Sequence, residues 1–229
     1  MYNSRMNNYE IEIKTLLGEK ENAEALKALM CTLDPTCTSV SSNTQLNHYF
    51  IGGTLGELFL KTEHLFSTEV KEKFRDIAEK GTELSVRSRQ KNNDVYLVVK
   101  ASVDEGTSSN AVSRLEFEEK VDCSLNELDM CVLDAGFTYQ AKWSREREEY
   151  GYKGANVCID KNAGYGYLAE FEKVVDNESS LEDVRTELEV LMRELGVAEL
   201  PQDRLERMFA FYNTNWPEYY GTDKTFILE

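Results

Sequence analysis

The chain has 229 residues, with 42 acidic against 26 basic side chains and a formal charge of −16. Hydrophobic residues make up 41%, enough for a core, which excludes wholesale disorder, and the acidic balance excludes a broad surface that grips DNA or RNA. No stretch approaches the roughly 18 apolar residues of a membrane helix, and the start, MYNSRMNNYE, lacks the apolar block of a signal peptide. A cytoplasmic protein is expected, a monomer or homodimer that binds neither membrane nor nucleic acid. The five cysteines, Cys31, Cys37, Cys123, Cys131 and Cys158, are scattered without a C-x-x-C pair and read as reduced thiols. His48 and His64 are the two histidines, too few for a histidine zinc site or a Ser-His-Asp triad. Any chemistry therefore falls to carboxylates, lysines and arginines.

Taken in chain order, alternation of side-chain character predicts a strand at 9–15, a helix near 21–33 and a strand at 45–52, followed by a flexible loop around Gly52, Gly53 and Gly56. A helix near 68–80 leads into strands at 82–90, 94–102 and 112–120. The next helix, 124–135, opens on the capping box Ser124 and Glu127 and stops at Gly136. Strands at 137–147, 155–161 and 165–175 make eight. The helix at 180–195 carries Leu181, Val184, Leu188, Leu191 and Leu195 at helical spacing, with Ser180 and Asp183 at its start and Gly196 at its end. Pro201 and Pro217 then bracket a short helix, and Trp216, Tyr219, Tyr220 and Phe226 supply an aromatic surface. The expected organisation is a main domain over 1–200 with 201–229 as an extension docked on it.

The strands place their charges unusually. Strand side chains alternate with a period of two, so Tyr9, Ile11 and Ile13 share one face of the first strand while Glu10, Glu12 and Lys14 share the other. Taken alone, E-x-E-x-K reads as a solvated sheet face. The pattern recurs, however: Arg87 with Arg89; Lys100 with Tyr96 and Val98; Arg114, Glu116 and Glu118 opposite Leu115 and Phe117; Arg145 with Arg147; Glu170 with Glu172. Asp160 joins them as the polar member of NVCID. Closing eight antiparallel strands into a barrel would turn these faces inward and leave the aliphatic faces to outer helices. An α+β fold follows, an eight-stranded antiparallel barrel with a charged lumen. The fourteen inward candidates are formally neutral, so the net charge belongs to the rest of the molecule. Arginine forks and lysines suit phosphate oxygens, and carboxylates without histidine or cysteine select a hard cation such as Mg²⁺ or Mn²⁺.

EIEIK at 10–14, VRSR at 86–89, VVK ending at Lys100, RLEFE at 114–118, RER at 145–147, CID at 158–160 and GYGYLAEFE at 164–172 together resemble the CYTH superfamily, the triphosphate tunnel metalloenzymes, in the family's order over about 9–175. The resemblance implies a metal-dependent enzyme acting on a small-molecule triphosphate inside the tunnel. Lys14, Arg87, Arg89, Lys100, Arg114, Arg145 and Arg147 are the expected phosphate-binding groups. Glu10, Glu12, Glu116, Glu118, Asp160, Glu170 and Glu172 are the expected metal ligands, with Glu12, Lys14 and Lys100 as candidate catalytic groups. Hydrolysis of tripolyphosphate, a nucleoside triphosphate or thiamine triphosphate stands ahead of the alternative, cyclisation of ATP by a class IV adenylyl cyclase. QLNHYFI at 45–51 is similar to a segment of that cyclase branch. A barrel that binds polyphosphate without turnover is the third reading. Two departures bear on the substrate: Glu146 splits Arg145 from Arg147, with Lys142 on the opposite parity, and Lys161 and Asn162 follow Asp160.

Other motifs carry less. Gly164-x-Gly166-x-x-Ala169 fits a dinucleotide fingerprint in spelling, yet it leads into a strand rather than a helix and reads as a hairpin. The glycines at 52–56 lack the Gly-Lys-Ser/Thr of a P-loop, and His48 reads as a strand or core histidine.

Overall fold

In a computed structural model, the chain is described over residues 9–80, 82–102, 114–175 and 180–228. Eight strands and six helices alternate as β1 (Tyr9–Gly18), α1 (Lys20–Leu33), β2 (Thr38–Gly52), α2 (Leu55–Thr62), α3 (Thr68–Lys80), β3 (Thr82–Lys91), β4 (Asp94–Ser102), β5 (Arg114–Val121), α4 (Leu125–Asp134), β6 (Phe137–Tyr152), β7 (Ala155–Asn162), β8 (Gly166–Val175), α5 (Leu181–Glu194) and α6 (Gln202–Tyr219). All eight strands form one sheet in the order β1-β8-β7-β6-β2-β3-β4-β5. The sheet is not closed: β1 and β5 are its ends, so strand pairing does not establish the expected barrel. Among the described residues no helix is long and apolar enough to cross a membrane.

The chain divides into two compact units, one comprising the described residues up to Asn43 and from Arg145 onward, the other Thr44–Ser144. The division falls inside β2 and β6. Each unit has its own core. In the first, Ile11 and Ile13 of β1, Val157 and Ile159 of β7 and Ala169 and Phe171 of β8 pack on Ala23, Leu26 and Met30 of α1 and Val184, Leu188 and Met192 of α5. In the second, Phe50, Val86, Leu97, Val99 and Phe117 pack on Leu58 and Phe59 of α2, Phe74 and Ile77 of α3 and Leu128 and Val132 of α4. Alternation thus sends the aliphatic face of every strand named here to helices and the polar face to the other side.

Four expectations need correction. Thr38–Gly52 and Phe137–Tyr152 extend well beyond the predicted strands because polar residues such as Ser41, Asn43, Glu148 and Glu149 break the apolar alternation while still pairing. The glycine loop is shorter than expected: Gly52 ends β2, Gly53 lies so close to the Phe137 ring that a Cβ would collide with it, and Thr54, accepting from Glu57 N at 3.2 Å, caps α2, which contains Gly56. Ser180 precedes α5 but makes no side-chain cap bond. Pro217 lies inside α6 and does not end it; the last turn closes after it, with Tyr220 N donating to the Trp216 carbonyl at 2.9 Å. The Ser124–Glu127 capping box is formed reciprocally, as expected.

The C-terminal segment packs on the turn between β7 and β8. Gly164 and Thr225 form a parallel bridge, and Tyr165 meets Phe209, Tyr212 and Phe226 at ring separations of 6.0, 5.7 and 5.2 Å. Gly164 has φ of +84°, and a Cβ there would lie 2.8 Å from Tyr212 and 2.9 Å from Phe226. A Gly164→Ala variant should therefore be destabilised by roughly 1–3 kcal/mol in urea unfolding and should expose Lys224 to trypsin; wild-type stability and protease resistance would contradict this packing.

Candidate functional site

The charged face of the first unit is built by register. On β1 and β8, Glu12 stands directly opposite Glu172 and Lys14 opposite Glu170, so all four side chains share the face turned away from α1 and α5. Glu170 is opposite Cys158 on β7, and Asp160 of β7 is opposite Arg147 of β6, with Arg145 two residues before it. This face gathers Glu12, Lys14, Arg145, Arg147, Asp160, Glu170 and Glu172. Glu10 has its backbone in β1 opposite Val174, but its side chain lies outside the described residues.

Asp160 is the centre of the arginine pair. It is 1% exposed; Arg147 donates from Nε at 2.7 Å and from a terminal nitrogen at 2.6 Å, and Arg145 donates at 2.9 Å. A buried carboxylate without partners would be costly, and two guanidinium groups offset that cost. Both Asp160 oxygens are thereby engaged, and the carboxylate orients Arg145 and Arg147. Arg147 also reaches Glu170, and Lys14 pairs with Glu12 and lies 3.6 Å from Glu170. Burial by itself would raise the Glu170 pKa, but Lys14, Arg147 and Arg145 outweigh it and hold it at about 2. Burial likewise opposes the charge of Arg147, and Asp160 and Glu170 more than restore it, raising its pKa.

The remaining carboxylates of this face differ in kind. Glu172 accepts from Asn156 Nδ2 at 2.6 Å, and Glu12 is largely exposed. Like charges directly opposite on neighbouring strands repel, and Lys14 beside Glu12 offsets the repulsion between Glu12 and Glu172; carboxylate oxygens are the donors that suit a hard divalent cation. Among the described residues no group of three His, Cys, Asp or Glu converges as a metal cluster, and those residues omit the Glu10 and Glu116 side chains. The Lys14 carbonyl accepts from Leu200 N at 2.7 Å, so the segment between α5 and α6 occupies part of the β1 edge.

The second unit carries a face richer in cations. Arg87, Arg89 and Lys100 share a face with Tyr96, Val98 and Glu118 across β3, β4 and β5. Arg89 places one nitrogen 2.9 Å from both oxygens of Glu118 and donates from Nε to Asn47 Oδ1 at 2.9 Å. Arg87 donates to Tyr49 Oη at 2.8 Å and stacks over its ring. Glu118, like Asp160, thus holds an arginine. Arg114 and Glu116 are in the backbone of β5, opposite Ser102 and Lys100, with side chains outside the described residues. Lys142 lies over the Tyr139 ring at 4.1 Å and 3.9 Å from Asp129, on the helix side.

Asn47, Tyr49 and Asn156 were not among the residues picked out from sequence. Their parity could have found them: Gln45, Asn47 and Tyr49 alternate with Leu46, His48 and Phe50, and Asn156 shares parity with Asp160. Neutral residues give no charge pattern to follow.

The depressed pKa of Glu170 has a consequence in acid. Its ion pairs contribute stability that is complete above the ordinary carboxylate value of 4.5 and is lost as pH falls towards about 2, on the order of 3 kcal/mol. Denaturant titrations from pH 5 to pH 2 should show this decline in the wild type and a flatter slope in Glu170→Gln; identical slopes would remove Glu170 from the ion-pair network.

The CYTH domain model matches residues 8–204. None of the curated proteins matches the chain. Among solved structures, the PH1819 protein of Pyrococcus horikoshii is 20% identical with a TM-score of 0.58, covering 90% of this chain and 99% of that one. A conserved hypothetical protein from Pyrococcus furiosus is 18% identical with a TM-score of 0.57, covering 83% and 92%. A candidate adenylate cyclase from Vibrio parahaemolyticus is 14% identical with a TM-score of 0.56, covering 88% and 98%. At such identities the likeness is one of fold. With the model spanning most of its length, and the charged strands in the family's order, the chain belongs to the CYTH domain family.

Proposed function

We propose that the protein is a metal-dependent triphosphatase that hydrolyses a compact triphosphate. The observation that carries this reading is the division of labour among the charged side chains: guanidinium groups held ready by fixed partners, and carboxylates, Glu12 and Glu172, directly opposed on neighbouring strands. The closed eight-stranded tunnel implied by the resemblance belongs to this proposal, as do Mg²⁺ or Mn²⁺ as cofactor and a monomer or homodimer in the cytoplasm.

The residues have distinct tasks. Arg145 and Arg147, fixed by Asp160, and Arg87 and Arg89, fixed by Tyr49, Asn47 and Glu118, present guanidinium groups whose orientation is set before substrate arrives. Lys14, Lys100 and Arg114 add positive charge for the phosphate chain. Mg²⁺ or Mn²⁺, which Glu12 and Glu172 would hold, would supply Lewis acidity towards phosphate oxygens. Glu12, exposed on the face, accepts the proton of the attacking water, and Lys14 beside it offsets charge developing on the phosphoryl group. The C-terminal aromatic segment, packed on the β7–β8 turn, favours a compact substrate over one carrying a nucleoside.

Incubation of the pure protein with Mg²⁺ or Mn²⁺ and tripolyphosphate, ATP or thiamine triphosphate, followed by phosphorus NMR, should yield orthophosphate. Pyrophosphate with cyclic AMP from ATP, and intact tripolyphosphate, would replace hydrolysis by cyclisation; tight binding without product would make the protein a polyphosphate-binding module. Glu12→Gln should lower turnover by about a hundredfold or more while circular dichroism is unchanged, and full activity would remove Glu12 from the mechanism. Arg89→Ala should raise the half-saturation concentration by roughly ten- to a hundredfold, the effect of losing a hydrogen bond to a charged group; an unchanged value would take Arg89 out of substrate binding.

A further inference from the structure

Behind the arginine face of the second unit lies a buried polar cluster that the proposed reaction does not use. Asp129 of α4 is 2% exposed, and its Oδ2 lies 2.6 Å from His48 Nδ1 and accepts from Tyr139 Oη at 2.7 Å. Ser88 Oγ donates to the other oxygen. Serine, histidine and aspartate are all present, yet the carboxylate sits in the middle and ties both partners to itself, unlike a nucleophilic triad in which histidine links the other two. Burial alone would raise the Asp129 pKa, but the bonds from His48, Ser88 and Tyr139 lower it, so the group is an ionised acceptor.

The register gives this cluster its meaning. His48 and Ser88 are directly opposite each other on β2 and β3, and their neighbours on the other face are Asn47 opposite Arg89 and Tyr49 opposite Arg87. These two pairs are the ones joined by the 2.9 Å and 2.8 Å bonds that orient the guanidinium groups. A slip of one residue would carry both arginines to the helix side. We propose that Asp129 is a positioning residue for phosphate binding: by holding His48 and Ser88 together from α4, it locks the β2–β3 register on which the aim of Arg87 and Arg89 depends. The capping box of α4 and buried Leu125, Leu128 and Val132 fix the helix that carries it.

This inference rests on reading Arg87 and Arg89 as phosphate-binding groups, and the experiment separates the two. Calorimetry with Mg²⁺ and tripolyphosphate should show a Kd raised about tenfold in Asp129→Asn, because an amide has one acceptor oxygen for three donors. On a background carrying Arg87→Ala and Arg89→Ala the same substitution should add nothing. The Nε–H resonance of Arg89, assigned by its loss in Arg89→Lys, should shift in Asp129→Asn, and to a smaller extent in Ser88→Ala, which removes one donor and serves if Asp129→Asn does not fold. An unchanged Kd, an equal loss on the arginine-free background or an unshifted Nε–H resonance would each overturn the positioning role. If the arginine variants themselves bind tripolyphosphate like the wild type, the phosphate-binding reading fails, while the resonance still decides whether Asp129 positions Arg89.

Discussion

Charge that is to act on a ligand has to be desolvated and oriented, and both requirements cost free energy unless something in the protein meets them first. In this chain the counter-groups are carboxylates and amides on the same sheet faces. Asp160 takes two guanidinium groups on a single buried carboxylate, Glu118 takes Arg89 on both oxygens, and Asn47 and Tyr49 each accept from one further nitrogen, of Arg89 and of Arg87. Removing one partner would leave a buried charge uncompensated, so these residues stand or fall together. The acids differ in what they meet: Asp160 and Glu118 hold arginines, Glu170 meets both Lys14 and Arg147, and Glu12, paired with Lys14, stands directly opposite Glu172.

The backs of the strands make this possible. In each unit the aliphatic faces bury against helices, and that burial, roughly 25 cal/mol per Å² of apolar surface, offsets the cost of holding ionic rows on the other side. His48 and Ser88 interrupt the apolar back of the second unit, and they do so where one carboxylate from α4 satisfies both. A buried polar cluster that is fully bonded specifies a register more sharply than an apolar contact, which tolerates sliding.

The existence and faces of the strands were legible in the sequence because a pleated strand has a rigid period of two. EIEIK, VRSR and RLEFE announce both a strand and its ionic side without reference to neighbours, and the register of β1 with β8 agrees with the parity read from them. The capping box of α4 was legible for the same local reason. The ends of β2 and β6 were not, since polar residues within a paired strand look like loop, and α2 was missed because its eight residues are too few for a helical period although Thr54 and Glu57 spell its cap.

What the sequence determined by itself, then, was which side chains share a face, a property of a single strand's backbone. Partnership was decided by tertiary structure. That Asp160 faces Arg147, that Glu12 meets Glu172, and that neutral Asn47 and Tyr49 aim the arginines all depend on which strands lie adjacent and in what register, on contacts between residues far apart in the chain. Residue type announces a charge. Only the pairing of strands decides whether that charge is already neutralised or is left to attract a ligand.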